Sequence, residues 1–340
     1  MPVPIAANLP NPSSSALGAT AVVSGVVIGL TAIGACGAVC VAYGVFLERR
    51  WFRRAHYRLE VLPAASGALS ILHLSDLHFV EGDRKKRSFL SSLPQGDVTV
   101  VTGDLLGEPE GVEAVVEALR PVRGRLASYF VLGSNDYFIP KPLNYLNYFR
   151  RRRRRRAGTR SRAVELVAAL EADGWMHLVN RKTAMAADGI RLEVLGLDDP
   201  HIERQDLRVA RREDPAALGL ALVHSPDPAP ELAALGYDLI LSGHTHGGQV
   251  RLPIVGALVT NSSIPTRLCR GLSRLGPSLL HVSPGLGTSK YAPFRFLCRP
   301  EATILELAPT RQVGAEASRT GATAGPVGSN PPTDGSLPLG

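Results

Sequence analysis

The sequence predicts a layered α/β domain behind an apolar helix of membrane-spanning length, and three observations lead there. Short apolar runs that read as buried strands alternate with helical periodicities from Leu69 onward, the pattern of strands and helices packed in layers. Five of those runs stop at a carboxylate, a carboxamide or an imidazole, the strand ends where an α/β protein places its chemistry. The first 47 residues carry no charged side chain.

Taken in order, residues 1–15 are rich in Pro, Asn and Ser and read as a short disordered lead. Residues 16–47 are continuously apolar or small, where about 20 residues suffice to cross the hydrocarbon of a bilayer. A cleaved signal peptide would want a basic start and a shorter core, and a buried soluble helix of this length would show a polar face. A transmembrane helix is therefore expected. Glu48-Arg49-Arg50-Trp51-Phe52-Arg53-Arg54 follows it and nothing basic precedes it. The positive-inside rule then puts everything after the helix in the cytoplasm, with Trp51 at the interface, in a single-pass protein of the inner (plasma) membrane. Gly25 and Gly29 have a helix-contact spacing, which a Gly/Ala-rich span supplies by accident.

Residues 48–68 read as a juxtamembrane linker with one edge strand over Tyr57–Leu62, and residues 69–308 as the catalytic domain. Helices are predicted over Asp83–Leu93, carrying the basic cluster Arg84, Lys85, Lys86 and Arg87, over Gly111–Leu119 and over Ala163–Ala172. Strands are predicted at Leu192–Leu197, Leu218–Val223, Leu239–Ser242, Leu279–Val282 and Thr303–Leu307. Residues 309–340 are rich in Gly, Pro, Ser and Thr and are expected to be disordered. The four cysteines, Cys36, Cys40, Cys269 and Cys298, show neither a zinc-finger spacing nor a disulfide framework; free buried thiols are expected for the last two.

The chain's net charge of +8 is local. Arg150–Arg156 are seven consecutive arginines inside an insertion over 139–162; taking them from the 38 basic residues leaves 31 against 30 acidic ones. A solvated insertion is one reading. Nucleic-acid binding is not expected, because arginines that neutralise phosphates here lack any reader fold. Membrane docking fits better, since Leu143, Tyr145, Leu146, Tyr148 and Phe149 are interfacial side chains beside a polybasic run.

The chemistry-bearing endings are Asp76 and His78 after Ile71–Leu74, Asp104 after Asp97–Val101, Ser134, Asn135 and Asp136 after Tyr129–Leu132, His224 after Leu220–Val223, and His244 and His246 after Leu239–Ser242. Residues two apart on an extended segment point to the same side, so His244 and His246 can face one metal. Gly247 and Gly248 let the backbone approach a ligand closely. Carboxylate, imidazole and carboxamide groups suit Mn²⁺, Zn²⁺ or Fe, and the absence of thiolates argues against a structural zinc site. Asp198-Asp199-Pro200-His201 follows another strand. Its carboxylates read as turn residues, and His201 as a candidate for reaching substrate.

In this order, D-x-H, G-D, a G-N-H-D-like block, a lone His and G-H-x-H resemble the calcineurin-like metallophosphoesterases, over about Leu69 to Leu307. Gly243–Gln249, Gly285–Ser289 and Phe294–Pro300 resemble the bacterial membrane-anchored branch. The resemblance implies two packed mixed β-sheets flanked by helices, with two divalent metal ions (Mn, Zn or Fe) at the strand ends. It further implies that Asp76, His78 and His246 hold one ion, that His224 and His244 help hold the other, and that Asp104 bridges them. Two ions ~4 Å apart can activate water and clamp a phosphoryl group for in-line displacement.

One block departs from the family pattern, which has Asn and then His between the Gly and the Asp. Without a gap, Ser134 takes the ligand slot and Asn135 the acid slot; a one-residue slip lets Asn135 ligate and leaves the His without a counterpart. Ser134 and Asn135 are thus ligand candidates, and Asn135 and Asp136 catalytic ones. A carboxamide cannot supply a proton near neutral pH. The resemblance implies a membrane-tethered phosphoesterase that hydrolyses a phosphoester or pyrophosphate bond, with a lipid-linked substrate favoured by the tether. A soluble nucleotide or cyclic-nucleotide phosphodiesterase and a metal-binding scaffold without turnover are the alternatives.

Overall fold

The computed structural model describes residues 12–140 and 158–310; residues 1–11 of the lead, the arginine run and most of the tail lie outside the described residues, and the end of the lead, from Pro12, is helical. The first helix, Pro12–Ala42, continues through a π-helical turn at Tyr43–Leu47 and a 3₁₀ turn at Glu48–Arg50. Its stretch Ser24–Arg50 is long and apolar enough, by length and composition, to cross a membrane.

Two six-stranded sheets follow. The first comprises β1 (Arg53–Leu62), β2 (Leu69–Leu74), β3 (Val98–Thr102), β4 (Ala127–Val131), β5 (Met176–His177) and β14 (Glu301–Pro309), in the order β1-β14-β2-β3-β4-β5. The second comprises β6 (Arg181–Ala187), β7 (Ile190–Gly196), β8 (Leu218–Leu222), β9 (Leu239–Ser242), β12 (Gly271–Leu275) and β13 (Ser278–Val282), in the order β12-β13-β9-β8-β7-β6. A short hairpin, β10 (Arg251–Leu252) and β11 (Gly256–Ala257), stands apart from both. Both sheets are mixed: β2, β3 and β4 run parallel while β14 is antiparallel to β2, and β7, β8 and β9 run parallel while β6 is antiparallel to β7.

The period-2 alternation of strand side chains builds the layers. Ile71, Val98, Val100 and Val131 of the first sheet meet Val194, Leu220, Leu222 and Leu241 of the second in one buried core. Their neighbours Leu72, Val101 and Phe130 point the other way, onto Leu90, Val115, Leu119, Leu166 and Leu170 of the helices. Leu195, Ala221 and Ile240 cover the far face with Leu232 and Tyr237. Strands buried on both faces read as unbroken apolar runs, which is why the central strands were visible in sequence.

The predicted helices are found at Arg84–Ser91, capped by Asp83, at Val112–Leu119 and at Ala163–Ala172. The strand expected over Tyr57–Leu62 begins at Arg53 and pairs along its length with β14, so the stretch after the helix joins the sheet. The edge strands β6 and β12 were not predicted; their half-exposed, partly polar side chains lack an apolar signature.

Candidate metal centre

Each chemistry-bearing residue leaves its strand through a sharp turn at the strand's C-terminal end. Five of them, Asp76 (φ 48°), His78 (40°), Asp104 (52°), His244 (66°) and His246 (49°), sit in the left-handed backbone region. Residues with a Cβ avoid that region at a cost of about 1–3 kcal/mol each and hold it only where the surroundings over-determine it. Here neighbouring turns do so. Asp76 N donates to Gly103 O (3.0 Å), His78 N to Asp104 O (2.9 Å) and Gly243 N to His224 O (2.8 Å). The turns are packed so closely that a Cβ on Gly133 would fall 2.3 Å from Asp104 Oδ1 and 2.8 Å from His224 Nε2.

The strain brings six side chains to one buried place. Asp76, His78 and His246 form one group and Asp76, Asp104 and His224 a second, each with ligand atoms within 4.8 Å of one another. His78 Nε2 lies 3.4 Å from His246 Nε2, and His246 Nε2 lies 3.6 Å from Asp76 Oδ1. Asp104 Oδ2 lies 3.5 Å from His78 Nε2 and 3.5 Å from His224 Nε2, between the two groups. His244 Nδ1 is 3.3 Å from His224 Nε2. His224 is oriented from behind, its Nδ1 2.8 Å from Thr102 O.

These atoms suit cations better than one another. Asp76 Oδ1 is buried without a hydrogen bond, and so is Ser134 Oγ, a costly state for a polar atom in a dry interior. Burial pushes the Asp76 carboxyl up to about 6 and the His78 imidazole down to about 4. It also carries His244 and His246 well below the usual histidine range. His224 goes the other way: burial opposes its charge, but Asp104, Asp199 and Asp76 outweigh it and hold the ring well above its ordinary value. His78, His244 and His246 are neutral imidazoles facing buried carboxylates, the donor set a divalent cation needs, and an ion beside Asp104 would displace the proton that His224 holds there, so the residues present fit the expected ions.

The 133–136 turn is where sequence left alternatives open. Asn135 donates its backbone N–H to Asp104 Oδ1 (2.8 Å) and its side-chain amide to Asp104 Oδ2. Its carbonyl oxygen would reach a cation beside Asp104 only with the amide turned over. Asp136, expected among the catalytic residues, instead accepts backbone N–H groups from Gly133 (2.9 Å), Leu105 (2.8 Å) and Leu106 (2.9 Å). That filled carboxylate ties the turn to the Asp104 loop. His201 packs beside the site, its ring centroid 4.5 Å from that of His244. Asp198 accepts from Tyr137 Oη (2.8 Å) and Arg204 Nε (2.7 Å), and Asp199 caps the N–H of His201, both as turn residues.

Sequence reasoning passed over three buried charges that shape the site. Lys86 donates its Nζ to Leu77 O (2.6 Å) and to Asp83 Oδ2 (2.9 Å), directly beneath His78. Arg295 is fully buried and donates to the carbonyls of Pro284 (2.7 Å), Gly287 (2.7 Å) and Cys298 (3.1 Å), holding the loop behind His246. Glu48, at the end of the first helix, accepts the backbone N–H groups of Leu297 and Cys298. Cys269 and Cys298 are free and buried, as expected.

Comparison with known proteins agrees with this geometry. The family model for calcineurin-like phosphoesterases matches residues 69–248. The chain is 27% identical over 293 residues to the uncharacterised metallophosphoesterase YkuE of Bacillus subtilis, covering 83% of this chain and 92% of that one. It is 27% identical over 276 residues to phosphodiesterase YaeI of Escherichia coli, covering 78% and 92%. It is 27% identical over 327 residues to the UDP-2,3-diacylglucosamine pyrophosphatase LpxG of Chlamydia trachomatis, covering 83% and 97%.

Proposed function

Because the chain belongs to the calcineurin-like phosphoesterases and is a metal-dependent phosphoester hydrolase, we propose that it is a membrane-tethered two-metal enzyme that cleaves a phosphodiester or pyrophosphate bond of an amphiphilic, lipid-linked substrate. The observation that carries the two-metal reading is Asp104, equidistant from His78 and His224. Asp76, His78 and His246 would hold one ion. His224, His244 and the Asn135 amide would hold the other, and Asp104 would bridge them. Bound there, Mn²⁺, Zn²⁺ or Fe would supply Lewis-acid stabilisation of the phosphoryl oxygens and acidify a water.

The protein's own groups do the rest. Asn135 steers the Asp104 carboxylate through its backbone N–H, which leaves its side-chain amide available to turn toward an ion. Asp136 is a positioning residue that fixes the turn. Ser134 is buried at the same turn with its hydroxyl unclaimed. The His201 ring, against His244, is placed to contact the substrate. The tight packing of the turns excludes bulk water, so these charges act at low dielectric.

The membrane reading rests on the apolar helix and on its surroundings. A groove at its end is lined by Arg50, Arg84 and Lys85 around Trp51, Phe52 and Phe89, a mixture suited to anionic headgroups. The flanking arginines support a cytoplasmic catalytic unit, and the arginine run of the insertion over 139–162 supports a further contact with anionic lipid. We take the catalytic unit to start at Arg53, where β1 joins the sheet. The relative named for cleaving a diacylated sugar nucleotide supports a lipid-linked substrate. The relative named a phosphodiesterase supports cleavage of a phosphodiester bond without deciding between lipid-linked and soluble substrates.

The test uses the full chain in vesicles with Mn²⁺. A water-soluble aryl phosphodiester and the same group carried on an acyl chain in the bilayer are compared. Preference for the acylated probe is expected. Equal turnover would favour the soluble nucleotide reading, and no turnover of either, with metal bound, would return the scaffold.

A further inference from the structure

The hairpin β10–β11 displays apolar side chains where a soluble protein would place polar ones. Ile254 is fully exposed, Val255 two-thirds exposed, and Leu252 and Leu258 nearly half exposed. Hairpin tips in water favour Gly, Asn and Asp, which tolerate positive φ. Ile254 occupies φ 68° all the same, an outlier for a β-branched residue. Leu297, alongside, is likewise half exposed at φ 53°. Backbone strain is accepted here to hold aliphatic side chains outward. Among the described residues after the first helix, the other exposed large aliphatic residues occur singly along the chain.

The patch is continuous with the helix end. Phe296 exchanges backbone hydrogen bonds with the hairpin root, donating to Gln249 O (3.0 Å) and accepting from Arg251 N (2.9 Å). Its ring packs edge-on against Tyr43 of the helix, with centroids 6.2 Å apart. Arg295 N donates to Gly44 O, and a Cβ on Gly44 would fall 2.3 Å from Phe294. Glu48 fixes Leu297 and Cys298 from the same helix end. The other end of the hairpin leads into the metal centre. Arg251 Nη1 donates to Gly247 O (3.0 Å), and a Cβ on Gly248 would fall 2.3 Å from that of Ala257. Hydrogen bonds and close packing thus run without a break from the helix end through the Phe294–Cys298 segment and the hairpin root to the His246 turn.

We propose that this hairpin, with Leu297, is a second membrane contact: its tip enters the interface of the leaflet from which the helix emerges and holds the metal centre against the lipid surface. The occupant is the bilayer, because the patch is contiguous with the element that enters it. The proposal rests on the membrane reading above and deepens it. An amphiphilic phosphoester then meets the site without leaving the bilayer, at a height fixed by the Glu48 and Gly44 contacts.

The test uses the full chain in vesicles of phosphatidylethanolamine and phosphatidylglycerol. In a Cys36→Ala, Cys40→Ala background, Ile254→Cys carries an environment-sensitive fluorophore, the two remaining cysteines being buried. Insertion to the headgroup–acyl boundary, ~5–10 Å deep, is expected to shift emission to the blue, and lipids with brominated chains to quench it strongly. In the native background, Ile254→Asn with Val255→Ser is expected to lower turnover of the acylated aryl phosphodiester several-fold and leave the water-soluble one unchanged. Asn suits the positive φ, so the hairpin keeps its shape. A chain that floats with the vesicles in alkaline carbonate but whose label ignores brominated lipid overturns the hairpin contact alone, and so does unchanged turnover of the acylated probe. A chain that fails to float overturns the membrane reading itself.

Discussion

Asp104 Oδ2 lies 3.5 Å from His224 Nε2 while the Asp104 backbone sits at φ 52°. The charge and the strained turn that aims it belong to one residue, and the two can be separated. Asparagine tolerates the left-handed region, so Asp104→Asn keeps the turn and removes the charge. Metal content should fall from two ions per chain, and kcat by at least about 10²–10³-fold, the scale of losing a preorganised electrostatic contact. Elemental analysis, with thermal unfolding as the control for folding, checks this. Wild-type metal content and turnover in the variant would sink the bridging assignment.

The turn Gly133-Ser134-Asn135 offers no proton donor. Log kcat/KM should therefore depend steeply on leaving-group pKa, aryl and pyrophosphoryl groups leaving faster than alkyl alcohols. Ser134→Asn with Asn135→His should raise alkyl-ester rates, by up to the ~10²–10⁴-fold typical of general acid catalysis. If the dependence is flat in the native enzyme, His201, packed 4.5 Å from His244, already supplies the proton. His201→Gln would then make it steep.

Lys86 is buried beneath the D-x-H turn, bonded to Leu77 O at 2.6 Å. Burial pulls its ammonium below the usual lysine range while Asp83 opposes that shift. Lys86→Met leaves Asp83 and two carbonyls without their donor. Breaking such a buried contact costs about 3–5 kcal/mol, and the partial exposure of Asp83 brings the expectation to about 2 kcal/mol. Urea unfolding measures this. Metal titration should show weaker binding, because the His78 turn loses its support.

His281 and His73 form a buried pair, their Nδ1 atoms 2.9 Å apart. Burial pushes His281 down to about 3, and burial followed by its neighbour pushes His73 well down too. An unfolded histidine titrates near 6.5, so below about that pH the unfolded chain binds more protons than the folded one. Their share of stability is complete above pH ~6.5 and falls as the pH drops toward 3, by about 1.4 kcal/mol per unit for each ring. Metal-site groups add slopes of both signs in the same window, so the pair is read as a difference: in urea unfolding of the EDTA-treated protein at pH 7, 6 and 5, His281→Gln should shift the slope by about one ring's share. An unchanged slope would mean that the pair does not stay neutral.

How much was legible follows from burial. Ile71–Leu74 and Leu239–Ser242 announced themselves because both faces of those strands are covered, and their ends therefore marked the site. Arg181–Ala187 and Gly271–Leu275 stayed hidden because an edge strand needs only one apolar face. Lys86 vanished into a run of four basic residues, although it lies four residues before buried Leu90 on one helical face, with Asp83 as the N-cap three residues earlier. Local pattern cannot tell which of four neighbouring cations turns inward. Arg295 and Glu48 could not be read at all, since their partners lie in segments brought together only by the tertiary fold. The partners of Asp136 were hidden for the same reason: two of the N–H groups that fill its carboxylate come from the Asp104 loop.

The placement of β14 sets a schedule for the chain's biosynthesis. β2, which delivers Asp76 and His78, pairs on one side with β14, and β1 beside the helix pairs only with β14. From Leu74 to Glu301 a ribosome working at ~5–20 residues per second needs on the order of tens of seconds. Over that interval the nascent chain holds its first two strands without the partner that joins them. Protein quality control therefore has a long window on an open sheet edge, although every candidate metal ligand, the last being His246, has by then been made.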